Sequence, residues 1–256
     1  VSGHHVKRVC GGPPGATAWE AAGLAWLAAA ESVGGARVVP VLEVTDDTLT
    51  LERLHTGHPD DTAVEAFGRA LAATHDAGAP AFGAGPPTWT GDGYLGPADE
   101  LLPLPLTGHA TWGPMYGEER IRHTLRMGRE RGLWPTTSLF DRVADRLTAG
   151  DFDDDLPPAR LHGDLWSGNV MWTDTGGVLI DPAAHGGHRL TDLAMLLLFG
   201  GAREERVTSA YSEVADLPDG WRDLVALHQL HPLMMHAVLF GGHYVGQAER
   251  TAHRYA

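Results

Sequence analysis

The chain has 256 residues, a formal net charge of −14 at neutral pH and a hydrophobic content of 43%. That length can bury one large core or two modest ones. No apolar run reaches the roughly 18 residues a bilayer span needs, and the acidic excess argues against nucleic acid or an anionic membrane as partner. A single cysteine, Cys10, excludes an internal disulfide and suits a reducing cytoplasm.

Residues 5–9 read as a strand carrying Lys7, the only lysine in the chain. A loop over 11–15 leads to a helix over 17–31, where Trp19, Ala22, Gly23, Trp26, Leu27 and Ala30 fall at helical spacing. Glu20 lies on this helix, thirteen residues beyond Lys7. A strand lysine paired with a helix glutamate is the device that holds the α- and β-phosphates in a phosphotransferase. A flexible ammonium acts there as a point charge, and a guanidinium would not reach the same position. Strands over 38–44 and 49–54 flank a turn at Asp46–Asp47, and Glu52, Arg53 and Leu54 then read as a crossover between lobes. The elements predict an α+β chain, with a small β-rich lobe over 1–54 and a larger helical lobe over 55–256.

In the second lobe Asp61-Thr62 reads as the N-cap of a helix over 63–77. Residues 79–105 are rich in Gly and Pro. An irregular segment of that length is uncommon unless functional, so it is a candidate wall of an acceptor pocket, with Trp89 and Tyr94 as candidate contacts against the commoner reading of packing. Helices follow over 117–131 and 138–148. Arg120, Arg122, Arg126, Arg129 and Arg131 cluster on the first; they read as a solvated face, the alternative being a surface for an anionic substrate group or a partner. The acidic run 151–155 reads as a solvated loop.

The densest chemical signal is Leu161-His162-Gly163-Asp164-Leu165-Trp166-Ser167-Gly168-Asn169, followed by Ile180-Asp181-Pro182. Asp164 and Asn169 have the D-x-x-x-x-N spacing of a phosphoryl-transfer loop. Residues 170–172 and 178–180 read as short strands joined by the polar turn 173–177, a hairpin that returns Asp181 beside Asn169. One carboxylate can then orient an acceptor hydroxyl, while the other carboxylate and the amide hold Mg²⁺, a hard cation satisfied by one or two protein oxygens plus phosphate. His185 and His188 form an H-x-x-H pair, but they lie in a Gly-rich loop with no cysteine and no evident third ligand, so a hydrogen bond from His188 to substrate or the catalytic loop is preferred over metal. Helices close the chain over 190–199, 203–214 and 221–244.

Residues 161–170 (LHGDLWSGNV) and 180–201 (IDPAAHGGHRLTDLAMLLLFGG) resemble the fructosamine/ketosamine 3-kinase family. That family belongs with aminoglycoside and choline kinases among small-molecule kinases of protein-kinase-like fold. His-Gly-Asp is common to the whole group, whereas Trp166 and His185-Gly-Gly-His188 are sharper signals. The stretches at 20–24, 78–83 and 228–233 extend the likeness over nearly the whole chain.

The resemblance implies a bilobal protein-kinase-like fold, with ATP and Mg²⁺ as cofactors. It places Asp164 as the catalytic residue, Asn169 and Asp181 on the metal, and Lys7, Glu20, Glu52, Arg53 and Leu54 on ATP, the last three through backbone groups near adenine. Trp166 and His188 would contact the acceptor, with packing of loop on hairpin as the rival role for Trp166. His162 and Asp192 would support the loop from behind, Asp192 by accepting buried N–H bonds. The implied acceptor is a ketoamine, free or on protein lysines, phosphorylated at its 3-hydroxyl to initiate deglycation. The rivals are an aminoglycoside- or choline-type phosphotransferase and a non-catalytic kinase-like binding protein; oligomeric state is left open. One departure stands out: the chain starts at Val1 and has no Gly-rich loop before Lys7. A sequence incomplete at its N-terminus is the simplest account.

Overall fold

A computed structural model describes residues 3–9 and 12–256. Cys10, and Gly11 at the head of the expected loop, lie outside the described residues.

The N-terminal part is a three-stranded antiparallel sheet of order β1-β3-β2, formed by β1 (His4–Arg8), β2 (Val41–Val44) and β3 (Thr48–Glu52). The central strand alternates as a half-buried strand should: Leu49 and Leu51 are buried between more exposed threonines. Lys7 pairs with Leu49 in the register. Helix α1 (Ala16–Ala28) packs on this sheet and ends three residues short of the expected limit, followed by a 3₁₀ turn at Glu31–Val33. Thr17 Oγ1 donates to Thr45 O at 2.7 Å, tying α1 to the turn between β2 and β3.

Asp60, not the expected Asp61-Thr62, caps α2 (Asp61–Asp76), its side chain accepting from Ala63 N at 2.8 Å. Val64, Phe67 and Leu71 line the buried face, each contributing roughly 1.5–3 kcal/mol by burial. The Gly/Pro-rich stretch holds a short hairpin of β4 (Gly93–Leu95) and β5 (Leu102–Leu104). The following helix starts before the expected Gly117. It runs as α3 (Trp112–Pro114), a π-helical stretch Met115–Arg122, and α4 (His123–Glu130). A π-helix places five residues under each hydrogen bond and recurs at functional sites. Helix α5 (Leu139–Thr148) packs against it.

The catalytic segment is framed by two small sheets. Strand β6 (Ala159–Leu161) pairs with β9 (His185–Gly187), and β7 (Val170–Thr173) pairs with β8 (Gly176–Leu179) in the expected hairpin, Val170 opposite Leu179. Leu179 is also where the two halves join: it accepts from Val39 N at 3.0 Å and donates to Arg37 O at 2.9 Å. Helices α6 (Leu190–Leu198) and α7 (Ala202–Ser212) follow. The long helix expected over 221–244 is broken. It comprises a 3₁₀ turn, α8 (Val225–His228) and α9 (Leu230–Phe240), then Gly241 and Gly242, then a further helix α10 (His243–Ala252) that the pattern did not signal. Both glycines have φ near +60° and ψ near −138°, a region open essentially to glycine alone.

One core joins α1, the sheet, α2, the β7–β8 hairpin and α6; a second fills the helical end around Phe140, Leu147 and Met234. Among the described residues no helix is long and apolar enough to cross a membrane.

Candidate active site

Leu161 ends β6 and sits in the core, so the chain leaves the sheet at His162 with its backbone held from below. Asp192, 1% exposed on the first turn of α6, accepts from His162 N at 2.7 Å and from Gly163 N at 3.0 Å. Its Oδ2 also meets His75 Nε2 at 3.1 Å, and His75 Nδ1 meets Tyr211 Oη at 2.8 Å. Burial works against the Asp192 charge, but His75, His162 and the Gly163 N–H outweigh it and hold the carboxyl below its ordinary value. Gly163 has φ +82°, and a Cβ there would collide with Ala183 O, so only glycine makes this turn.

The His162 ring is neutral by burial. Its Nε2 donates to Ile180 O at 2.8 Å while its Nδ1 accepts from Asp164 N at 3.3 Å. One imidazole thereby ties the loop to the strand end that carries Asp181.

At the loop's open side, Asn169 Nδ2 donates to Asp164 Oδ2 at 3.0 Å, to Asp164 O at 2.8 Å and to Asp181 O at 3.4 Å. Ile180 N donates to Asn169 O at 3.1 Å, so the hairpin returns Asp181 beside Asn169 as the spacing predicts. Asp181 has φ +53°, a left-handed conformation and a local cost that clusters at functional sites. Lys7 Nζ lies 2.6 Å from Glu20 Oε2 and 3.3 Å from Asp181 Oδ1. Burial opposes the Lys7 charge, but the two carboxylates outweigh it and raise its pKa. Burial pushes Glu20 up to about 7 against the pull of Lys7, with Asp181 adding repulsion. Glu20 Oε1 is buried with no partner among the described residues. Asp164 is likewise pushed up to about 7 by burial, Asn169 opposing and the charges of Asp192 and Asp181 adding to the shift.

All five residues border a cavity of about 380 Å³, the size of a small-molecule site. Trp166, 41% exposed, also lines it, with its ring lying over Gly168. Tyr94 lines it too, and Trp89 packs at 5.6 Å on Trp19 nearby.

One expectation needs correction. His188 is buried outside the cavity lining: its Nε2 lies 3.0 Å from Asp154 Oδ2 and its Nδ1 accepts from Leu190 N at 3.1 Å, so neither nitrogen is left for a substrate. The acidic loop is therefore not merely solvated: Asp154 holds His188, Asp153 Oδ1 accepts from Gly113 N at 2.6 Å, and Asp151 pairs with Arg146 at 2.8 Å. Glu52, Arg53 and Leu54 lie at and beyond the end of β3, apart from the cavity, and Arg53 N is engaged by Gly3 O at 3.1 Å.

Sequence reasoning also missed His185, whose Nδ1 bonds Ala183 O at 2.8 Å and whose ring borders the cavity. It missed Tyr116 and His231, which line the same space, and it preferred a solvated face for Arg120, which lines it too. The arginine run was read as one solvated face, although helical spacing sets Arg120 about 120–180° away from Arg122, Arg126 and Arg129.

A family model for fructosamine kinase matches residues 16–256. A probable ketoamine kinase of Thermus thermophilus is 34% identical over 252 residues, 96% of this chain and 85% of that protein. One from Vibrio vulnificus is 32% identical over 160 residues, 62% of this chain; the match spans about half, 53%, of that relative's length. The crystal structure of a "putative fructosamine-3-kinase" from Thermobifida fusca superposes with a TM-score of 0.84 at 45% identity, covering 99% of this chain and 86% of that one. An aminoglycoside phosphotransferase, APH(4)-Ia, shares the fold at a TM-score of 0.59 and 14% identity, over 100% of this chain and 88% of that one. The α+β architecture is thus that of the protein-kinase-like small-molecule kinases.

Proposed function

The chain belongs to the fructosamine kinase family, and from that premise we propose that it transfers the γ-phosphate of ATP to the 3-hydroxyl of a ketoamine. The observation that carries the reading is the convergence of Asp164, Asn169, Asp181, Lys7 and Glu20 on one cavity.

In this reading Asp164 orients the acceptor hydroxyl and takes its proton as the new O–P bond forms and the bond to the departing ADP breaks. A carboxyl raised to about 7 is well matched to that task at neutral pH. Lys7, steered by Glu20 and Asp181, places its ammonium on the nucleotide phosphates. The donor set fits Mg²⁺. Asp181 keeps an oxygen beyond the one facing Lys7, and Asn169 spends its amide nitrogen on Asp164 and Asp181, leaving its Oδ1 without a hydrogen bond among the described residues. Two hard oxygens plus phosphate and water are what this ion takes; Asn169 and Asp181 would hold it, and it would neutralise charge on the nucleotide phosphates. Phosphate at C3, next to the C2 ketone, is then a good leaving group; its elimination destabilises the adduct and releases the amine, which makes deglycation the sensible role.

The test is ADP release with Mg²⁺, ATP and fructosyl-, ribulosyl- and erythrulosyl-amines, with the phosphate located in the product. Ketoamine-dependent ADP and phosphate on C3 support the reading. Turnover of an aminoglycoside or choline but no ketoamine moves the assignment to the wider kinase group, and failure to bind ATP favours a binding protein.

A further inference from the structure

We propose that Arg120 recognises an anionic group on the acceptor, and that the cavity selects ketoamines whose amine carries a carboxylate, the adducts of free amino acids. The proposal rests on the ketoamine-kinase reading of the same site.

Two arginines of the chain are buried among the described residues, and they differ. Arg189 pairs with Asp76 at 2.8 Å. Arg120, 2% exposed, has no carboxylate within 4.0 Å among the described residues. Its Nη1 donates to Pro105 O at 2.9 Å and Glu119 O at 3.3 Å, which fixes the guanidinium in place. Its Nη2 is buried with no partner, and no hydrogen bond of its Nε is found among the described residues. One edge of a rigid fork is therefore unfilled. A buried arginine without an anion is rare and costly, whereas an exposed one would mean nothing.

The π-helical stretch sets Tyr116 and Arg120 on the cavity, which Met115, Met195, Met235, His185 and His231 also line. Burial pushes Arg120 down to about 10, so the side chain stays charged at neutral pH. The nearest acids that act on it, Glu119 and Asp92, do so only through space. His185 and His231 beside it are held neutral by burial and by the Arg120 charge, His185 at about 3. Arg120 is thus a buried cation on the same cavity that Asp164 lines.

The acceptor must give its hydroxyl to Asp164. Beyond its C2 ketone the molecule continues into the amine and whatever that amine carries. A planar carboxylate on the amine matches the free Nε–Nη2 edge in bidentate fashion. A side-chain adduct on a protein lysine presents no anion at that place.

The experiment compares fructosyl-glycine, fructosyl-glycinamide and the 6-phosphate of the glycinamide adduct as acceptors with Mg²⁺ and ATP, alongside calorimetric binding of each without ATP. Wild type is expected to show a KM for the acid at least about tenfold below that of the amide, the gain expected of a charged hydrogen-bonded pair. Arg120→Met should bring the two within about twofold, and Arg120→Lys should restore part of the preference. Equal KM and affinity for acid and amide in wild type overturn the assignment and leave the ketoamine reading standing. So does an Arg120→Met that slows both acceptors equally with their ratio intact, the result of a purely structural arginine. Preference for the 6-phosphate over the acid overturns the carboxylate. Neither turnover nor binding of any of the three overturns both readings. Should Arg120→Met fail to fold, the wild-type ratio still decides.

Discussion

The two sides of the catalytic loop are built in opposite ways. Behind it, Asp192, His75, His162 and Tyr211 form a buried network whose polar atoms find partners within the chain. In front, Lys7, Glu20 and Asp181 set two carboxylates against one ammonium; Glu20 Oε1 has no partner, Asp181 is 43% exposed, and its backbone is left-handed. A finished network holds geometry and asks for nothing more. An unfinished one keeps bonding capacity for a ligand, which is why orphaned polar atoms and raised carboxyls gather at sites. Changes in front should therefore cost activity and spare the fold, and changes behind should cost the fold.

The sharpest contrast comes from Asp164→Ala. Turnover should fall by about 10³-fold or more, within the range for a positioned acid–base group, while the thermal midpoint moves by only a few degrees and ATP still binds. ADP-release kinetics beside a calorimetric scan check it. Near-wild-type turnover would mean that Asp164 does not act on the acceptor.

Asp192→Ala should do the reverse, with about 3–5 kcal/mol of stability lost because His75 and two backbone N–H groups lose a buried anion. The pH dependence separates this network from its surroundings. His162, His185, His228 and His231 are all held below the ordinary histidine value by burial. The unfolded chain therefore binds protons first, and stability falls as the pH drops through about 6.5. Asp192 sits below its ordinary value, so its contribution is complete above about pH 4 and is lost as the pH falls through the depressed folded pKa. Urea midpoints across pH 3–8 should show both limbs in wild type and a weakened lower limb in Asp192→Asn, where Asp154, also held below its ordinary value by His188, still contributes. An unchanged lower limb in that variant would remove Asp192 from the account.

Glu20→Gln tests the front more gently. It keeps a hydrogen-bond partner for Lys7 and removes a carboxyl that burial already disfavours, so the midpoint should hold or rise slightly. The KM for ATP should climb about tenfold, since Asp181 would be the one charge left to steer Lys7. A large fall in stability with ATP binding intact would make the pair structural.

What the sequence made legible follows the same division. The front depends on short-range spacing: Asp164 to Asn169, a hairpin to Asp181, one lysine ahead of one helix glutamate. Strand and helix periods suffice to bring such residues together. The brace was half visible, because Asp192 at a helix start suggests backbone acceptance, while His75 lies on another helix 117 residues away with no local sign of its partner. His188 failed for a related reason: its position after Asp-Pro pointed at substrate, but β9 turns it toward Asp154 and presents His185 to the cavity instead. The π-helical stretch was invisible, but Arg120 was not: an α period already turns it about 120–180° away from Arg122, Arg126 and Arg129, a signal lost when the run was read as one solvated face. The break at Gly241–Gly242 was readable, and apolar residues on both sides masked it.

The smallest expected effect belongs to Trp166, the aromatic residue of the front. Its ring is 41% exposed, lies over Gly168, and its Nε1 makes no hydrogen bond among the described residues. Stacking on an acceptor is worth roughly 0.5–1.5 kcal/mol, so Trp166→Ala should raise the acceptor KM about two- to tenfold with kcat, ATP affinity and thermal midpoint nearly constant, and Trp166→Phe should recover most of the loss. Packing of loop on hairpin makes the opposite forecast. Losing the ring would then loosen the Asp164–Asn169 segment, lowering kcat and the midpoint together, and the acceptor KM would be the least affected quantity. Measuring KM and midpoint on the same preparation decides between the two, because stacking moves the first and packing moves the second.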